Sequence, residues 1–159
     1  LKQDFSRKLS EPQYREIPRR IICEKFIDNG DELPDDFKFY CINGEPKVVM
    51  LCRERASGAT KFYYFDMDWQ LLPYNEISRE AIEKGIKIPR PSGFEGLIKY
   101  AKTLSQGFIF VRADFYLVNN KPLFGELTFT PAGGLDRTDR EANIEIGKLI
   151  PVPFNNITR

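Results

Sequence analysis

The sequence predicts an α+β domain with a mainly antiparallel sheet and flanking helices. Aromatic residues make up 13% of the 159 residues, and aromatic side chains are enriched in strands. Several short apolar segments are separated by turn residues, as in neighbouring antiparallel strands. One longer segment in the middle of the chain has the periodicity of an amphipathic helix.

Composition limits the classes of function. Hydrophobic residues account for 42% and charged residues for 30%, which is typical of a globular protein with one sizeable core. The formal net charge of +1 gives no support to bulk attraction for nucleic acid or an anionic membrane. No apolar run is long enough to span a bilayer. The sequence therefore predicts one globular domain, or a large part of one.

The chain is predicted to divide into an arm, one lobe and a tail. Residues 1–19 are polar, rich in Arg and Lys, and interrupted by two prolines, so they predict an extended arm. Residues 20–150 contain the strand and helix patterns, and residues 151–159 form the tail. Because the chain begins with Leu rather than Met, we expect it to be part of a longer protein.

Four apolar segments in the first half of the chain predict strands. Asn43-Gly44 separates the second segment from the third, and this dipeptide is a strong signal for a two-residue hairpin turn. The four segments cover residues 21–27, 37–41, 47–53 and 61–66.

A helix is predicted over residues 92–105. Apolar residues three and four positions apart form one stripe along this segment, which a helix can bury against a sheet. Ser92 and Glu95 have the spacing of a capping box, and Gly107 follows the helix end.

Two further helices are predicted on either side of this one. The first covers residues 78–84 and ends before Gly85, because glycine commonly follows a helix. The second begins at Thr138, where Glu141 completes another capping-box spacing.

The last predicted hairpin carries the residues best suited to chemistry. Residues 111–117 and 123–130 predict two strands joined by a polar turn. Successive side chains point to opposite faces of a strand, so Arg112, Asp114 and Tyr116 share one face.

The register of this hairpin decides whether its acidic residues meet. If the turn holds an odd number of residues, Asp114 lies opposite Glu126 and Arg112 lies opposite Thr128. A shift by one residue would move them to opposite faces. We therefore expect a facing pair of carboxylates, and such a pair repels unless a proton or a cation lies between them.

Two interpretations of this pair remain open. In the first, Asp114 and Glu126 hold Mg²⁺, whose other positions take substrate phosphates, and Arg112 stabilises a transferring phosphoryl group. In the second, the residues form a solvated sheet face with an ordinary salt bridge to Arg112.

Histidine and cysteine usage excludes several mechanisms. The chain has no His, which excludes His-based triads, His general bases and the usual His-containing zinc sites. Phosphoryl transfer stays compatible, because there the protein mainly positions groups and stabilises charge. Cys23, Cys41 and Cys52 lie in apolar segments without metal-type spacing, so we expect reduced, buried thiols in a cytoplasmic protein.

Taken together, these motifs resemble the TupA-like branch of the ATP-grasp superfamily. The resemblance covers roughly residues 14–150 and rests above all on Arg112-Ala113-Asp114 and on residues 125–131. Residues 23–27, 35–44 and 65–69 add to it. Because of the resemblance, we expect the C-terminal lobe of an ATP-grasp unit, with a role in bacterial cell-wall or surface-polysaccharide synthesis such as that of teichuronopeptide. ATP-grasp ligases typically use MgATP to activate a carboxylate as an acyl phosphate, which an amine then attacks.

The resemblance also implies roles for individual residues. Asp114 and Glu126 correspond to acidic Mg²⁺ ligands, and Thr128 stands where many ATP-grasp enzymes have an Asn ligand. Arg112 corresponds to the arginine that faces the transferring phosphate. Gly133 lies where a backbone N–H could approach a developing oxyanion. The implied cofactors are ATP and Mg²⁺.

The nucleotide side of the site is implied by two other segments. Glu24, Lys25 and Phe26 resemble the hinge whose backbone meets the adenine edge, although their alternation also fits an ordinary strand. Lys38 lies on a strand face that could point at phosphates or an acidic substrate, although a solvated surface position fits the pattern as well.

The resemblance leaves the complete activity open. An ATP-grasp site lies between two lobes, and few residues precede Glu24, so we expect the N-terminal lobe to come from the parent protein or from a partner chain. The substrate would be a small molecule, a saccharide or a peptide. Two other functions stay open: a non-catalytic relative that binds a glycan or a partner, and a metal-dependent glycosyltransferase that uses a nucleotide sugar.

Overall fold

The computed structural model describes residues 11–18, 20–27, 33–55, 58–134 and 139–151. They contain one six-stranded antiparallel sheet and three α-helices, which confirms the predicted α+β class. In chain order, the elements are β1 (Asp36–Ile42), β2 (Glu45–Arg53), β3 (Lys61–Phe65), β4 (Leu71–Leu72), α1 (Glu76–Glu83), α2 (Phe94–Leu104), β5 (Phe110–Val118), β6 (Lys121–Thr128) and α3 (Arg140–Leu149).

The strand order is β4-β3-β2-β1-β5-β6. The β1–β2 hairpin turns at Asn43-Gly44 as predicted, with φ values of 51° and 78° that suit such a turn. β5 then pairs with the other side of β1, and β6 closes this side as an edge strand. The sheet therefore brings β1, from early in the chain, directly beside the hairpin that carries Asp114.

One face of the sheet is covered by α2. Phe94, Leu97 and Ala101 form the predicted apolar stripe and are fully buried. Phe94 stacks on Phe39 of β1, with ring centroids 5.8 Å apart. Trp69 also belongs to this core, since its ring lies 4.1 Å from that of Phe65.

The predicted capping box of α2 is wrong. The N-cap residue is Gly93, with no side-chain cap bond, rather than Ser92. A Cβ atom at Gly93 would lie 2.6 Å from the backbone oxygen of Asn120, in the β5–β6 turn. Close approach of the hairpin thus decides how this helix begins.

The opposite face is covered in part by α3. Ala142 and Ile146 pack against Tyr40, Met50 and Tyr64, among other residues of β1 to β3. This helix was predicted to begin at Thr138, which lies outside the described residues. Helix α1 is capped by Asn75, whose side-chain oxygen accepts a hydrogen bond from Ser78 N at 2.8 Å.

The strand predicted over residues 21–27 is wrong. Residues 20–27 form no regular secondary structure, and β6 pairs only with β5 in the described sheet, so this segment adds no strand. Ile21 and Ile22 are more than four-fifths exposed, which shows that apolar composition alone did not give them a partner. Cys23 is likewise exposed, contrary to prediction, whereas Cys41 and Cys52 are buried as expected.

The division into an arm, a lobe and a tail stays a prediction. Within the predicted arm, Pro12–Tyr14 form a short 3₁₀ turn beside the end of β6. Here Gln13 Nε2 donates a hydrogen bond to Thr130 Oγ1 at 2.7 Å. No helix in the described part of the chain is long and apolar enough to cross a membrane.

Candidate functional site

Asp114 and Glu126 face each other across β5 and β6, as the sequence predicts. The turn itself holds two residues, Asn119 and Asn120, both with positive φ. The extra residue that the register requires is Gly125, which forms a bulge between the pairs Phe115–Phe124 and Asp114–Glu126. The predicted register is therefore confirmed, but the additional residue lies within β6 and not in the turn.

Asp114 is buried and surrounded by cationic groups. Arg112 donates from Nε to Asp114 Oδ1 at 2.8 Å and from Nη2 to Oδ2 at 2.7 Å. Lys38 Nζ donates to the same Oδ2 at 2.7 Å. Because Asp114 is only 3% exposed, these three bonds replace most of the hydration that its charge would otherwise need.

A second buried carboxylate fixes the other side of Lys38. Asp36 Oδ2 lies 2.9 Å from Lys38 Nζ, and Arg55 Nη1 lies 3.9 Å from the same oxygen. Asp36 pairs with Tyr116 across β1 and β5, and the Arg55 guanidinium lies over the Tyr116 ring. The result is a row of alternating charges that runs across the sheet.

Glu126 closes this row at the edge strand. Its carboxylate is mostly exposed, and its ion pair with the described residues is a long contact, 3.5 Å from Arg112 Nη2. Thr128 accepts a hydrogen bond from the same Nη2 at 3.2 Å. Arg112 therefore contacts all three residues for which the resemblance implied metal binding.

The charges alter the protonation of their partners. Burial lowers the pKa of Lys38, but the carboxylates of Asp114 and Asp36 together outweigh it, so its pKa lies above the ordinary value. The pKa of Arg112 is raised in the same way by Asp114. Burial raises the pKa of Tyr40, on the same sheet face, to about 12. All three side chains thus keep their protons across the physiological range.

A cavity of about 610 Å³ opens beside the charge row, and we call it the acidic cleft. Its lining includes Lys38, Asp114 and Glu126, together with Glu24 and Lys25 from the segment before β1. The structure thus brings most of the predicted nucleotide and metal residues to one opening.

Four predicted site residues are not among those that line this opening. Two of them, Arg112 and Thr128, are bonded to each other beside it, and Arg112 is also bonded to Asp114 of the lining. Phe26 lines an adjoining cavity with Val118 and Leu123. Gly133 lies in a 3₁₀ turn (Pro131–Gly134) and lines a third cavity, next to Tyr40.

A search of protein families finds one whose description is TupA-like ATPgrasp, and its model matches residues 1–151. The chain belongs to the TupA-like ATP-grasp family. No curated protein and no solved structure matches the chain. ATP-grasp proteins in general bind ATP and Mg²⁺, and many are ligases.

Because ATP-grasp proteins in general bind Mg²⁺, the side chains of the acidic cleft are compared with the ligands that this ion prefers. Among the described residues, no group of three or more His, Cys, Asp and Glu side chains is arranged to hold a metal. Two facing carboxylates and a hydroxyl are nevertheless hard oxygen donors, and Mg²⁺ commonly takes only one or two carboxylates besides phosphates. From the described residues, Asp114 accepts three hydrogen bonds of the roughly four that a carboxylate can accept, so these residues leave one position. The donor chemistry fits the ion.

Sequence reasoning did not find Asp36. The available signal was the alternation along β1, which places Asp36, Lys38 and Tyr40 on one face. What the sequence lacked was the pairing of β1 with β5, more than seventy positions away, which turns that face toward Asp114.

Proposed function

We propose that this chain is the metal- and phosphate-binding half of an ATP-dependent ligase, which joins a carboxylate to an amine in cell-surface polymer synthesis. The observation that carries the proposal is the contact between Arg112, Lys38 and Asp114 opposite Glu126 at the acidic cleft. The family match supports the same reaction class.

In the proposed reaction, a substrate carboxylate oxygen attacks the γ-phosphorus of ATP. The bond from that phosphorus to the bridging oxygen breaks, ADP leaves, and an acyl phosphate forms. An amine nitrogen then attacks the acyl carbon, the carbon–oxygen bond to phosphate breaks, and phosphate leaves. The proton of the amine passes to the departing phosphate, which agrees with a chain that has no histidine to act as a base.

Asp114 and Glu126 would hold Mg²⁺, with Thr128 beside them. When bound, the ion would neutralise phosphate charge. Arg112 keeps Asp114 oriented through Nε and Nη2. None of its hydrogen bonds to the described residues uses Nη1, so that nitrogen is left to donate to the transferring phosphoryl group.

Lys38 has a different task in this proposal. It neutralises Asp114 in the free protein, and a metal at Asp114 would repel it. When ATP binds together with the metal, its phosphates would give the ammonium group of Lys38 a new anionic partner. The proposal therefore predicts that Mg²⁺ and ATP bind far better together than separately.

Glu24, Lys25 and Phe26 would form the nucleotide wall. Glu24 and Lys25 line the acidic cleft, and Phe26 lines the adjoining cavity, so an adenine ring between them would meet both polar backbone and apolar surface. Gly133 would supply a backbone N–H to a developing oxyanion. We propose that the facing N-terminal lobe comes from the parent protein or from a partner chain.

Thermal melting tests the proposal. MgATP should raise the melting temperature by more than the sum of the separate effects of Mg²⁺ and ATP, because ligands that bind only the native state stabilise it. Glu126→Gln should abolish the excess, and Asp114→Asn should do the same. Glu95→Gln is the matched control, because this exposed carboxylate is paired with Arg90 away from the cleft.

Each outcome of this experiment is informative. Synergy that survives both cleft variants would contradict the assigned metal ligands. Its absence from the folded wild-type chain, repeated with the two-lobed parent, would overturn the ligase proposal. Stabilisation by UDP-sugars and not by MgATP would favour a glycosyltransferase.

A further inference from the structure

The charge row beside the acidic cleft contains as many anions as cations. Taken in order across the sheet, its members alternate in sign: Arg55, Asp36, Lys38, Asp114, Arg112 and Glu126. Each neighbouring pair in this order is joined by an ion pair, at distances from 2.7 to 3.9 Å. The charges of the row therefore cancel, and the row has no surplus of positive charge that would attract the phosphates of a nucleotide.

Asp36 is the anion of this row that has no part in the proposed metal site. Asp114 and Glu126 are the carboxylates that would hold Mg²⁺, and the ion would neutralise them. Asp36 is not among the described residues that line the acidic cleft, and it is only 4% exposed. Its negative charge therefore stays in the row whether or not a metal is bound.

Lys38 connects Asp36 to the acidic cleft. Its Nζ lies 2.9 Å from Asp36 Oδ2 and 2.7 Å from Asp114 Oδ2, and Lys38 is part of the cleft lining. A phosphate that enters without a metal must compete with both carboxylates for this ammonium group, and both carboxylates also repel it. A metal at Asp114 would remove the competition from one of them.

Arg55 compensates the charge of Asp36 only in part. Its Nη1 lies 3.9 Å from Asp36 Oδ2, which is beyond the length of a hydrogen bond. The Arg55 side chain is 31% exposed, whereas that of Asp36 is 6% exposed. Because water screens the exposed charge more strongly than the buried one, the negative potential of Asp36 is not cancelled from this side.

We infer that Asp36 is a specificity-determining residue, through which the acidic cleft disfavours metal-free polyphosphate and favours polyphosphate that is bound to a divalent cation. Without the metal, Asp36 keeps the row neutral and holds Lys38. With Mg²⁺ the row becomes positive, and the charge of Asp36 attracts the ion. The inference rests on the proposed ligase function, which it deepens by assigning the choice between free and metal-bound nucleotide to one residue.

Asp36→Asn tests the inference with tripolyphosphate, which has no adenine. The change removes one negative charge and keeps an oxygen that can accept a hydrogen bond from Lys38. Titration calorimetry of the full chain in EDTA, at constant ionic strength, should show tripolyphosphate bound at least about threefold more tightly than by wild type. Asp35→Asn is the matched control, because Asp35 is the neighbouring residue and is paired with Arg53 at 3.3 Å near the surface. Its affinity should stay within about twofold of wild type.

The same titrations with Mg²⁺ measure the preference for the metal complex. We expect the ion to tighten tripolyphosphate binding to wild type by at least about tenfold. In Asp36→Asn this ratio should be at least about threefold smaller, because the metal-free ligand binds better and one anion that attracts Mg²⁺ is lost. A purely structural role of Asp36 would change the melting temperature and leave the ratio unchanged.

Arg55→Gln provides a variant of opposite sign, which tests the inference even if Asp36→Asn does not fold. It gives the row a net negative charge, so metal-free tripolyphosphate should bind at least about threefold more weakly and the ratio should rise. Arg53→Gln is its control, since Arg53 is paired with Asp35 and has no contact with Asp36 among the ion pairs of the described residues.

The outcomes separate this inference from the proposed function. An unchanged affinity for metal-free tripolyphosphate in Asp36→Asn, or an equal change in Asp35→Asn, would overturn the role of Asp36 and leave the MgATP synergy of wild type intact. Absence of that synergy would refute the ligase. The titrations in EDTA would still decide the inference, because tighter binding to Asp36→Asn alone would uphold it.

Discussion

Lys38 Nζ lies 2.7 Å from Asp114 Oδ2, across β1 and β5, and the same ammonium group lies 2.9 Å from Asp36. Both carboxylates are nearly inaccessible to water. Two buried anions, one on each strand, therefore share this ammonium group, while Arg112 also contacts Asp114 and Arg55 lies near Asp36. The stability of the sheet therefore depends on the same charged groups that line the acidic cleft.

Replacing Lys38 should destabilise the chain measurably. Among cationic groups of the described residues, Lys38→Met leaves Asp36 the longer contact to Arg55, so we expect the free energy of unfolding to fall by about 2 kcal/mol in urea titrations. Lys61→Met is the control, because Lys61 is paired with Glu54 on the surface and its loss should leave stability nearly unchanged. Equal effects of the two changes would contradict the importance assigned to Lys38.

Arg112 should not tolerate lysine. A lysine keeps the positive charge but cannot donate two parallel hydrogen bonds to Asp114. Arg112→Lys should lower the free energy of unfolding by about 1–2 kcal/mol and remove MgATP synergy. Arg90→Lys is a suitable control, since Arg90 is paired with the exposed Glu95. A stable Arg112→Lys variant with full synergy would show that charge alone is sufficient.

Gly93→Ala should be severely destabilising. A Cβ atom there would lie 2.6 Å from both the backbone oxygen of Asn120 and the Cδ1 atom of Leu117, so the β5–β6 hairpin would have to move from α2. We expect a loss of about 2 kcal/mol or more. Gly147→Ala should instead gain about 0.5 kcal/mol, because alanine is the better helix former. Urea titrations of both variants measure these changes in the free energy of unfolding. A Gly93→Ala variant that is as stable as Gly147→Ala would contradict the prediction.

Stability should fall on the alkaline side. Burial raises the pKa of Cys41 from 9.0 to about 11 and that of Cys52 from 9.0 to about 12. Above pH 9 the unfolded chain loses these thiol protons while the folded chain keeps them, so raising the pH favours unfolding. Each thiol contributes a slope of about 1.4 kcal/mol per pH unit until its folded pKa is reached.

Urea titrations between pH 8 and pH 11 under reducing conditions would measure this slope. Cys52→Ala should make it shallower, whatever that substitution does to stability at pH 8. A free energy of unfolding that stays constant over this range would contradict the prediction.

The part of the site that lies within one hairpin could be predicted from the sequence. Asp114 and Glu126 are close in the chain, and strand alternation with a short turn limits their registers to few choices. Gly125 in the sequence did not indicate whether the additional residue would form a bulge in β6 or lengthen the turn. Tertiary packing of an edge strand decides that choice.

Contacts between distant segments could not be predicted in this way. Lys38 reaches Asp114 only because β1 pairs with β5, and strand pairing at that separation depends on the fold as a whole. The strand predicted around Glu24 was wrong for a different reason. Its apolar residues predict a strand, but a strand exists only where it is hydrogen-bonded to another strand, and in the described sheet the edge strand β6 pairs only with β5.

The bulge at Gly125 also bears on how molecules of this protein behave at high concentration. β6 is an edge strand with Leu123 and Phe124 partly exposed, which is the kind of strand that recruits other chains into aggregates. The bulge interrupts its regular pattern of donors and acceptors, and Pro122 lacks a donor altogether. A strand with Gly125 deleted and Pro122 replaced by Val would keep Asp114 opposite the same glutamate. Its edge would also present an uninterrupted row of hydrogen-bond donors and acceptors beside exposed apolar side chains. We therefore expect the solubility of the protein to fall while Asp114 and Glu126 keep their relative positions.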